Sequence, residues 1–127
     1  MSQDLTAGGQ VVIRRTGDTA VIDAIEPTLR RVEAIKIWRE RLVEEIGMMK
    51  ETRVIVNLAG GEYLPGPILH TLSVLNQRAQ ELKKKFAVCE IGPNTMKAVR
   101  ATRMNLVIPF LEKERDAIQR VHAKKKH

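Results

Sequence analysis

Two short, almost uninterrupted apolar runs constrain the fold of this chain more than any other feature. They are RVIVNL at 53–58 and FAVCEI at 86–91, and the segment between them has apolar residues at helical spacing. Such runs are typical of strands that are covered on both faces, and a helix between two of them makes a parallel crossover. The pattern predicts a largely parallel α/β sheet in which 53–58 has a neighbouring strand on each side.

The other segments extend this alternation to the order ββαβαβαβα. The runs 11–15 and 19–24 are rich in β-formers and flank Gly17-Asp18, which predicts a hairpin. Further elements are predicted as helices over 29–50, 67–84, 94–104 and 112–125 and as a strand over 105–111, which Pro109 places at a sheet edge or bulge. The predicted helix caps are Thr28 for the first helix and Asn94 or Thr95 for the third.

Helical periodicity also predicts which face of each helix is buried. The predicted core positions are Leu29, Val32, Ile35, Trp38, Leu42, Ile46 and Met49 in the first helix, Ile68, Leu72, Leu75, Ala79 and Leu82 in the second, and Ala117, Ile118 and Val121 in the last. The fold class is therefore α/β, with a four- to five-stranded mixed, mostly parallel sheet and about four helices packed against it. We expect one domain over 1–127, with flexible ends at 1–9 and 122–127.

Composition limits the kinds of protein this chain can be. Its 127 residues suffice for one core, and aromatic residues make up only 3%, so that core must be aliphatic. The single cysteine, Cys89, excludes an intramolecular disulfide and suits a reducing compartment. No apolar run approaches the roughly 20 residues of a membrane span, and the first residues lack the features of a signal peptide. We expect a cytoplasmic protein with no membrane partner.

The net charge of +7 makes a nucleic acid a partner to be considered. The lysines cluster at 83–85 and 124–126, where predicted helices end and cations complement the helix dipole. Neither a recognition-helix motif nor an aromatic stacking platform accompanies them. Nucleic-acid binding therefore remains only a weaker alternative.

Signals for catalysis are absent from the sequence. The histidines at 70, 122 and 127 are scattered, so no metal site is predicted. The segment LAGGEYLPG is glycine-rich after a strand, but it lacks the lysine and hydroxyl of a phosphate-binding loop. Cys89 lies in a buried-type strand, where a thiol is usually inert. We predict no catalytic residue, no cofactor and no metal; an enzyme or nucleotide binder at the glycine loop is the weakest alternative.

The junction GGEYLPGPILHTL at 60–72 is unusual because a strand passes into a helix through Pro65, Gly66 and Pro67. Pro67 is interpreted as the first helical residue, where a missing N–H costs nothing and φ is already set. Gly66 has no β-carbon, so another backbone can approach it closely. The junction contains no hydroxyl, acid or base at the turn itself.

The segment 53–118 resembles a STAS domain, the fold of bacterial anti-sigma factor antagonists. RVIVNLAGGEYLPGPIL is similar to the family's third strand and loop, written V-V-L-D-L-S-x-V-x-x-[IM]-D-S-S-G-L, and Glu62-Tyr63-Leu64 matches a branch that writes the loop E-Y-L-S-S. Cys89-Glu90-Ile91-Gly92-Pro93 is close to that branch's C-N-I-x-P word, and the residues after it follow the family's helix, edge strand and closing helix. The likeness covers about half of the chain.

The resemblance implies a switch protein whose loop serine is phosphorylated by an anti-sigma kinase. In this sequence Gly66 stands at the position of that serine, Pro65 at the usual Asp and Pro67 at the next Ser, while Asn57 replaces the strand-end Asp. The resemblance therefore implies a STAS protein without serine phosphorylation control, whose phosphosite position, Gly66, is degenerate.

The expected function is non-catalytic binding of a regulatory protein: an anti-sigma factor, a kinase-like regulator or another STAS protein. The partner-binding residues are predicted at the junction and on the outer face of the next helix: Ala59, Gly60, Gly61, Pro65, Gly66, Pro67, His70, Val74 and Gln77. A structural subunit of a larger STAS-containing signalling assembly is the alternative, and a homodimer stays open.

Overall fold

The computed structural model describes residues 11–25, 30–60 and 65–123. The strands are β1 (Val12–Thr16), β2 (Thr19–Ile25), β3 (Arg53–Gly60), β4 (Lys85–Cys89) and β5 (Phe110–Leu111). The helices are α1 (Val32–Met48), α2 (Pro65–Glu81), α3 (Pro93–Ala101) and α4 (Glu114–His122), with a short 3-10 turn at Met104–Leu106. The order predicted from the sequence is confirmed.

The five strands form one sheet in the order β1-β2-β3-β4-β5. β1 and β2 form the predicted antiparallel hairpin, and the other neighbouring pairs are parallel. The run 53–58 thus has a strand on each side, as its apolar sequence predicted, and the expected mixed, mostly parallel sheet is confirmed.

The sheet separates two cores of unequal size. Alternate strand residues such as Ile22, Val56 and Val88 face the larger core, which α1 and α2 cover. The intervening residues face α4 and form a small cluster with it: Val21, Ile55, Ala87, Cys89, Ala117 and Val121. Because both faces are covered, the central strands need apolar residues at successive positions.

The first helix begins later than its periodicity predicted. Arg31 is the residue before α1 and makes no side-chain capping bond, while Thr28 and Leu29 lie outside the described residues. Val32 was predicted to be core but is 56% exposed, because it is the first residue of α1 and lies at the end of the helix. Ile35, Trp38 and the later predicted core positions are buried.

The predicted cap of the third helix is wrong, and the predicted strand after it is shorter than expected. Gly92 precedes α3 and Pro93 opens it, so Asn94 and Thr95 lie within its first turn. A proline in the first turn already has the required φ and lacks an N–H that would be unpaired there. The predicted strand over 105–111 is reduced to Phe110–Leu111, since Arg103 turns the chain through a left-handed conformation and a 3-10 turn follows. β5 lies at the sheet edge, directly after Pro109, as predicted.

Helix ends account for the remaining differences. α2 spans Pro65–Glu81 rather than 67–84, and α4 is Glu114–His122 rather than 112–125. Leu82 and Ile118, both predicted as core, are each 36% exposed and lie at the margin of their cores. Within the described residues no helix is long and apolar enough to cross a membrane.

Candidate functional site: the β3–α2 junction

The junction lies where β3 ends, at the carboxyl edge of the parallel strands. α2 begins at Pro65, so the prediction that Pro67 is the first helical residue is wrong. Pro65 takes that role, and both Gly66 and Pro67 belong to the first turn. The two prolines remove two of the N–H groups that a helix N-terminus normally presents. This end of α2 is therefore poorly equipped to bind a phosphate or another anion.

Gly66 is exposed at this turn. Apart from the adjacent residues of the chain, a β-carbon added there would meet no atom within 4 Å, so there is open space where a side chain would begin. Pro67, the next residue, is half-buried. The position that the resemblance in sequence places at the family's phosphorylated serine is thus open to solvent on this protein.

The other predicted partner-binding residues extend from this turn along one side of α2. Ala59, Gly60, His70 and Gln77 are exposed, Val74 is half-buried, Gly61 lies outside the described residues, and only the backbone of Pro65 is described. The buried face of the same helix contains Ile68, Leu72 and Leu75. Val74 therefore offers a partner less apolar surface than its sequence position suggested.

Gly60 has a structural role that the sequence did not reveal. It pairs with Ile25 of β2, next to a shift in register between Asp23 and Ile25. A β-carbon on Gly60 would collide with the backbone oxygen of Ala24. Glycine at this position therefore allows β3 to stay against β2 up to the point where the junction begins.

A cluster of polar side chains holds the end of β3 from the α4 side of the sheet. Asn57 accepts a hydrogen bond on Oδ1 from the Ala59 N–H, 2.8 Å away, and its Nδ2 donates to Oε1 of Glu114 at 2.7 Å. The Glu114 N–H in turn donates to Oε2 of Glu90 at 3.0 Å. The start of α4 is thereby connected to the strand that leads into the junction.

Arg14 of β1 completes this polar cluster. Its guanidinium forms two hydrogen bonds with Asp23, at 2.6 and 2.8 Å, and two with Glu114, at 2.6 and 3.1 Å. Hydrogen bonding by Asp23 first, and by Glu114 second, raises the pKa of Arg14 above its usual value. The hairpin, β3 and α4 thus meet at one group of charges.

The same cluster perturbs two other groups. The hydrogen bond from Arg14 has the largest effect and lowers the pKa of Glu114 below its usual value of 4.5. Burial opposes this shift, and the weaker effect of the bond from Asn57 adds to the shift. Burial raises the pKa of the Cys89 thiol to about 12, and the negative charges of Glu114 and Glu90 add to the effect. A buried thiol with a pKa this high is not a nucleophile near neutral pH.

The lowered pKa of Glu114 predicts a loss of stability in acid. Its carboxylate favours the folded state above pH 4.5, and this contribution disappears as the pH falls below 4.5 through the folded-state pKa. We expect Glu114→Gln to reduce the drop in the free energy of unfolding between neutral pH and pH values below 4.5. Urea unfolding followed by circular dichroism measures that difference.

Glu112→Gln is the matched control for this prediction. Glu112 is an exposed acid two positions earlier, and within the described part of the chain it has no hydrogen bond or ion pair. Its replacement should leave the acid dependence almost as in the wild type. An equal effect of the two substitutions would show that the bonds to Arg14 and Asn57 do not hold the carboxylate as described.

Neither a metal site nor a catalytic group emerges from the described residues. Among residues 11–25, 30–60 and 65–123 there is no group of three or more His, Cys, Asp or Glu side chains placed to hold a metal ion. His122 makes hydrogen-bond contacts with the Thr19 hydroxyl and with the backbone oxygen of Ile118, away from the junction. The candidate site is therefore an exposed surface, not an enclosed pocket with reactive side chains.

Comparison with known proteins gives a likeness in structure alone. No family model matches the chain, and no curated protein matches its sequence. A STAS domain protein from Planctomyces limnophilus, described as an anti-sigma-factor antagonist, is similar with a TM-score of 0.74 and 18% identity, over 89% of this chain and 98% of that one. A putative anti-sigma factor antagonist from Thermotoga maritima has a TM-score of 0.77 at 10% identity, over 92% and 98% of the two chains.

The anti-sigma factor antagonist SpoIIAA in its unphosphorylated form is also similar, with a TM-score of 0.71 and 14% identity, over 92% of this chain and all of that one. The mixed sheet, the hairpin at its first edge and the helices on both faces thus define this chain as a domain with the STAS fold. The fold expected from the sequence resemblance is confirmed, and it includes the described residues before Arg53, which have no diagnostic motif.

Proposed function

We propose that this chain is a non-catalytic regulatory STAS protein of the cytoplasm that binds a protein partner through the β3–α2 junction and the exposed side of α2. The likeness to structures described as anti-sigma factor antagonists supports a partner of the anti-sigma factor or kinase-like class. The observation that carries the proposal is the exposure of Gly66 with free space around it.

The chemistry of the junction supports binding without phosphorylation control. Residues 65–67 are Pro, Gly and Pro, so no hydroxyl lies in the first turn of α2. Thr71, one turn further on, is buried, and a kinase cannot reach its hydroxyl in the folded protein. Ser73 is exposed but lies in the middle of the helix, where the backbone cannot extend into a kinase active site. A partner would therefore bind a surface that phosphorylation does not alter.

Two substitutions at Gly66 test this proposal, because the residue is exposed and a β-carbon there meets no atom within 4 Å other than those of its chain neighbours. An anti-sigma kinase from the same organism, supplied with ATP, should leave residues 63–73 of the wild type unmodified and phosphorylate Gly66→Ser. Gly66→Asp should displace the main partner in an affinity purification from the native cell, because it places a charge in a close interface. Mass spectrometry measures both results.

Gly66→Ala is the control for both experiments, because it adds a β-carbon with neither hydroxyl nor charge. It should stay unphosphorylated and keep the partner. Phosphate on residues 63–73 of the wild type would contradict the absence of control. Retention of the partner by Gly66→Asp would contradict the proposed binding surface.

A further inference from the structure

We propose a second docking surface at the open edge of the sheet, beside β5. Its occupant is an extended segment of another protein that combines apolar with acidic side chains. The surface, here called the β5 groove, is lined by α3, the 3-10 turn and β5, together with Glu112 and with Arg120 of α4.

The shape of the β5 groove is set by two adjoining cavities of about 590 and 370 Å³. Both are lined by Met96 and Arg100 of α3 and by Phe110 and Leu111 of β5. A groove of this size on an open edge accommodates a few residues of extended chain. It arises because the segment before β5 forms a 3-10 turn and leaves the strand only two residues long.

The backbone of β5 is available on the side of the groove. The N–H groups of Val88 and Glu90 donate to the oxygens of Pro109 and Leu111, at 2.9 and 3.2 Å, so those two carbonyls face β4. Because hydrogen-bonding groups alternate along a parallel strand, the N–H and C=O of Phe110 between them face the open side. An extended segment can pair with this residue, as in recognition by strand addition.

The apolar side chains of the groove are unusually accessible. Leu106 is 74% exposed and Val107 is 65% exposed, and both line the smaller cavity. Met96, Phe110 and Leu111 are only half-buried beside them. A contiguous apolar surface of this kind on a monomer is typical of an interaction site.

Charge decides which kind of segment fits. Lys97, Arg100 and Arg120 line the groove, and none of the three has an ion pair within the described part of the chain. Glu112 is the one acid that lines either cavity among those described. Three cations against one anion favour an acidic occupant, while the apolar floor and the strand edge favour a peptide over a nucleic acid.

The β5 groove and the junction are independent surfaces. None of the residues that line the two cavities belongs to the predicted partner-binding set at 59–77. Substitutions in the groove should therefore leave binding at Gly66 intact, and the reverse also holds. The two proposals can fail separately.

The probe for the groove is a fluorescein-labelled, eight-residue peptide of alternating glutamate and leucine, titrated into the full chain and followed by fluorescence anisotropy. We expect binding that is about tenfold weaker for the double variant Lys97→Glu/Arg100→Glu, because two attractions become repulsions. Leu106→Ser, which changes no charge, should also weaken it severalfold. NMR spectra of the labelled protein should shift at Met96, Phe110 and Leu111.

Two controls make this experiment decisive. The variant Lys36→Glu/Lys50→Glu makes the same change in net charge at exposed positions away from the groove and should bind as the wild type does. A peptide with lysine in place of glutamate should not bind. All the variants change exposed residues, and their thermal unfolding is compared first.

Four results would overturn the proposal. Equal weakening by the two charge variants would make the attraction non-specific, and NMR shifts confined to other surfaces would place the peptide elsewhere. Tighter binding of a short single-stranded DNA at the groove would assign it to nucleic acid. Self-association in light scattering that Lys97→Glu/Arg100→Glu abolishes would assign it to a second copy of the chain.

Discussion

Gly60→Ala is expected to lower the free energy of unfolding by about 2–3 kcal/mol, although it adds a single methyl group. The added carbon would collide with the backbone oxygen of Ala24, and a backbone atom cannot rotate away as a side chain can. β3 would have to separate from β2 at the pair Ile25↔Gly60. Urea unfolding at neutral pH, followed by circular dichroism, measures the change.

Gly66→Ala is the matched control for this prediction as well. Only six positions separate the two glycines in the sequence, but a β-carbon at Gly66 has no neighbour within 4 Å. Alanine restricts the unfolded chain more than glycine does, but its β-carbon also crowds the ring of Pro67, the next residue, so this variant should stay within about 1 kcal/mol of the wild type. If Gly60→Ala cost no more than Gly66→Ala, the close approach of β3 to Ala24 would be wrong.

The steric role of Gly60 affects how binding experiments are interpreted. A substitution there would move the end of β3 and, with it, the junction that follows. Loss of a partner in a Gly60 variant would therefore reflect a displaced backbone and give no information on direct contact. Gly66 is the better test position, because its environment stays unchanged.

Trp38→Ala is expected to lower the free energy of unfolding by about 3–5 kcal/mol, the largest effect that we predict for a single substitution. Trp38 is fully buried in α1 and belongs to the larger core, which α2 closes. Its loss would leave a cavity that the surrounding aliphatic side chains cannot fill without moving a helix. Unfolding should be followed by circular dichroism, because the substitution removes the chain's single tryptophan and with it the tryptophan fluorescence signal.

Two further variants show how much of the effect comes from the packing of the Trp38 ring and how much from its indole nitrogen. Its indole nitrogen has no hydrogen-bond partner among the described residues. Trp38→Phe removes that nitrogen and keeps a ring in the core, so it should cost clearly less than Trp38→Ala. Val32→Ala, at an exposed position of the same helix, should change stability by less than about 0.5 kcal/mol. Equal losses in Trp38→Ala and Val32→Ala would contradict the burial described here.

The central strands and the core faces of α1 and α2 could be predicted because the apolar or polar character of each residue indicates whether it is buried. RVIVNL is apolar at successive positions since Val54 and Val56 face one core while Ile55 faces the other. The edge strand could not be predicted to the same extent. Its length depends on Pro109, on the left-handed conformation of Arg103 and on how little of the segment reaches β4.

The candidate site also has some features that the sequence predicts and others that only the structure shows. The loss of a hydroxyl at the junction is visible in the sequence, whereas the exposure of Gly66 and the steric role of Gly60 depend on neighbours that the structure provides. The polar cluster had no sequence signal, because Arg14 and Glu114 are 100 positions apart. A signal could have come from Asn57, since a polar residue that interrupts a buried strand requires hydrogen-bond partners.

The amino-acid sequence by itself determines the alternating α/β order, the aliphatic core and the absence of a phosphate acceptor at the junction. Each of these features depends only on the chemistry of residues that are close together in the chain. Tertiary packing determines which charges meet at Glu114, which glycine has no room for a side chain and which apolar residues remain uncovered beside β5. These features depend on contacts between segments that are distant in the chain, and neither periodicity nor composition reports such contacts.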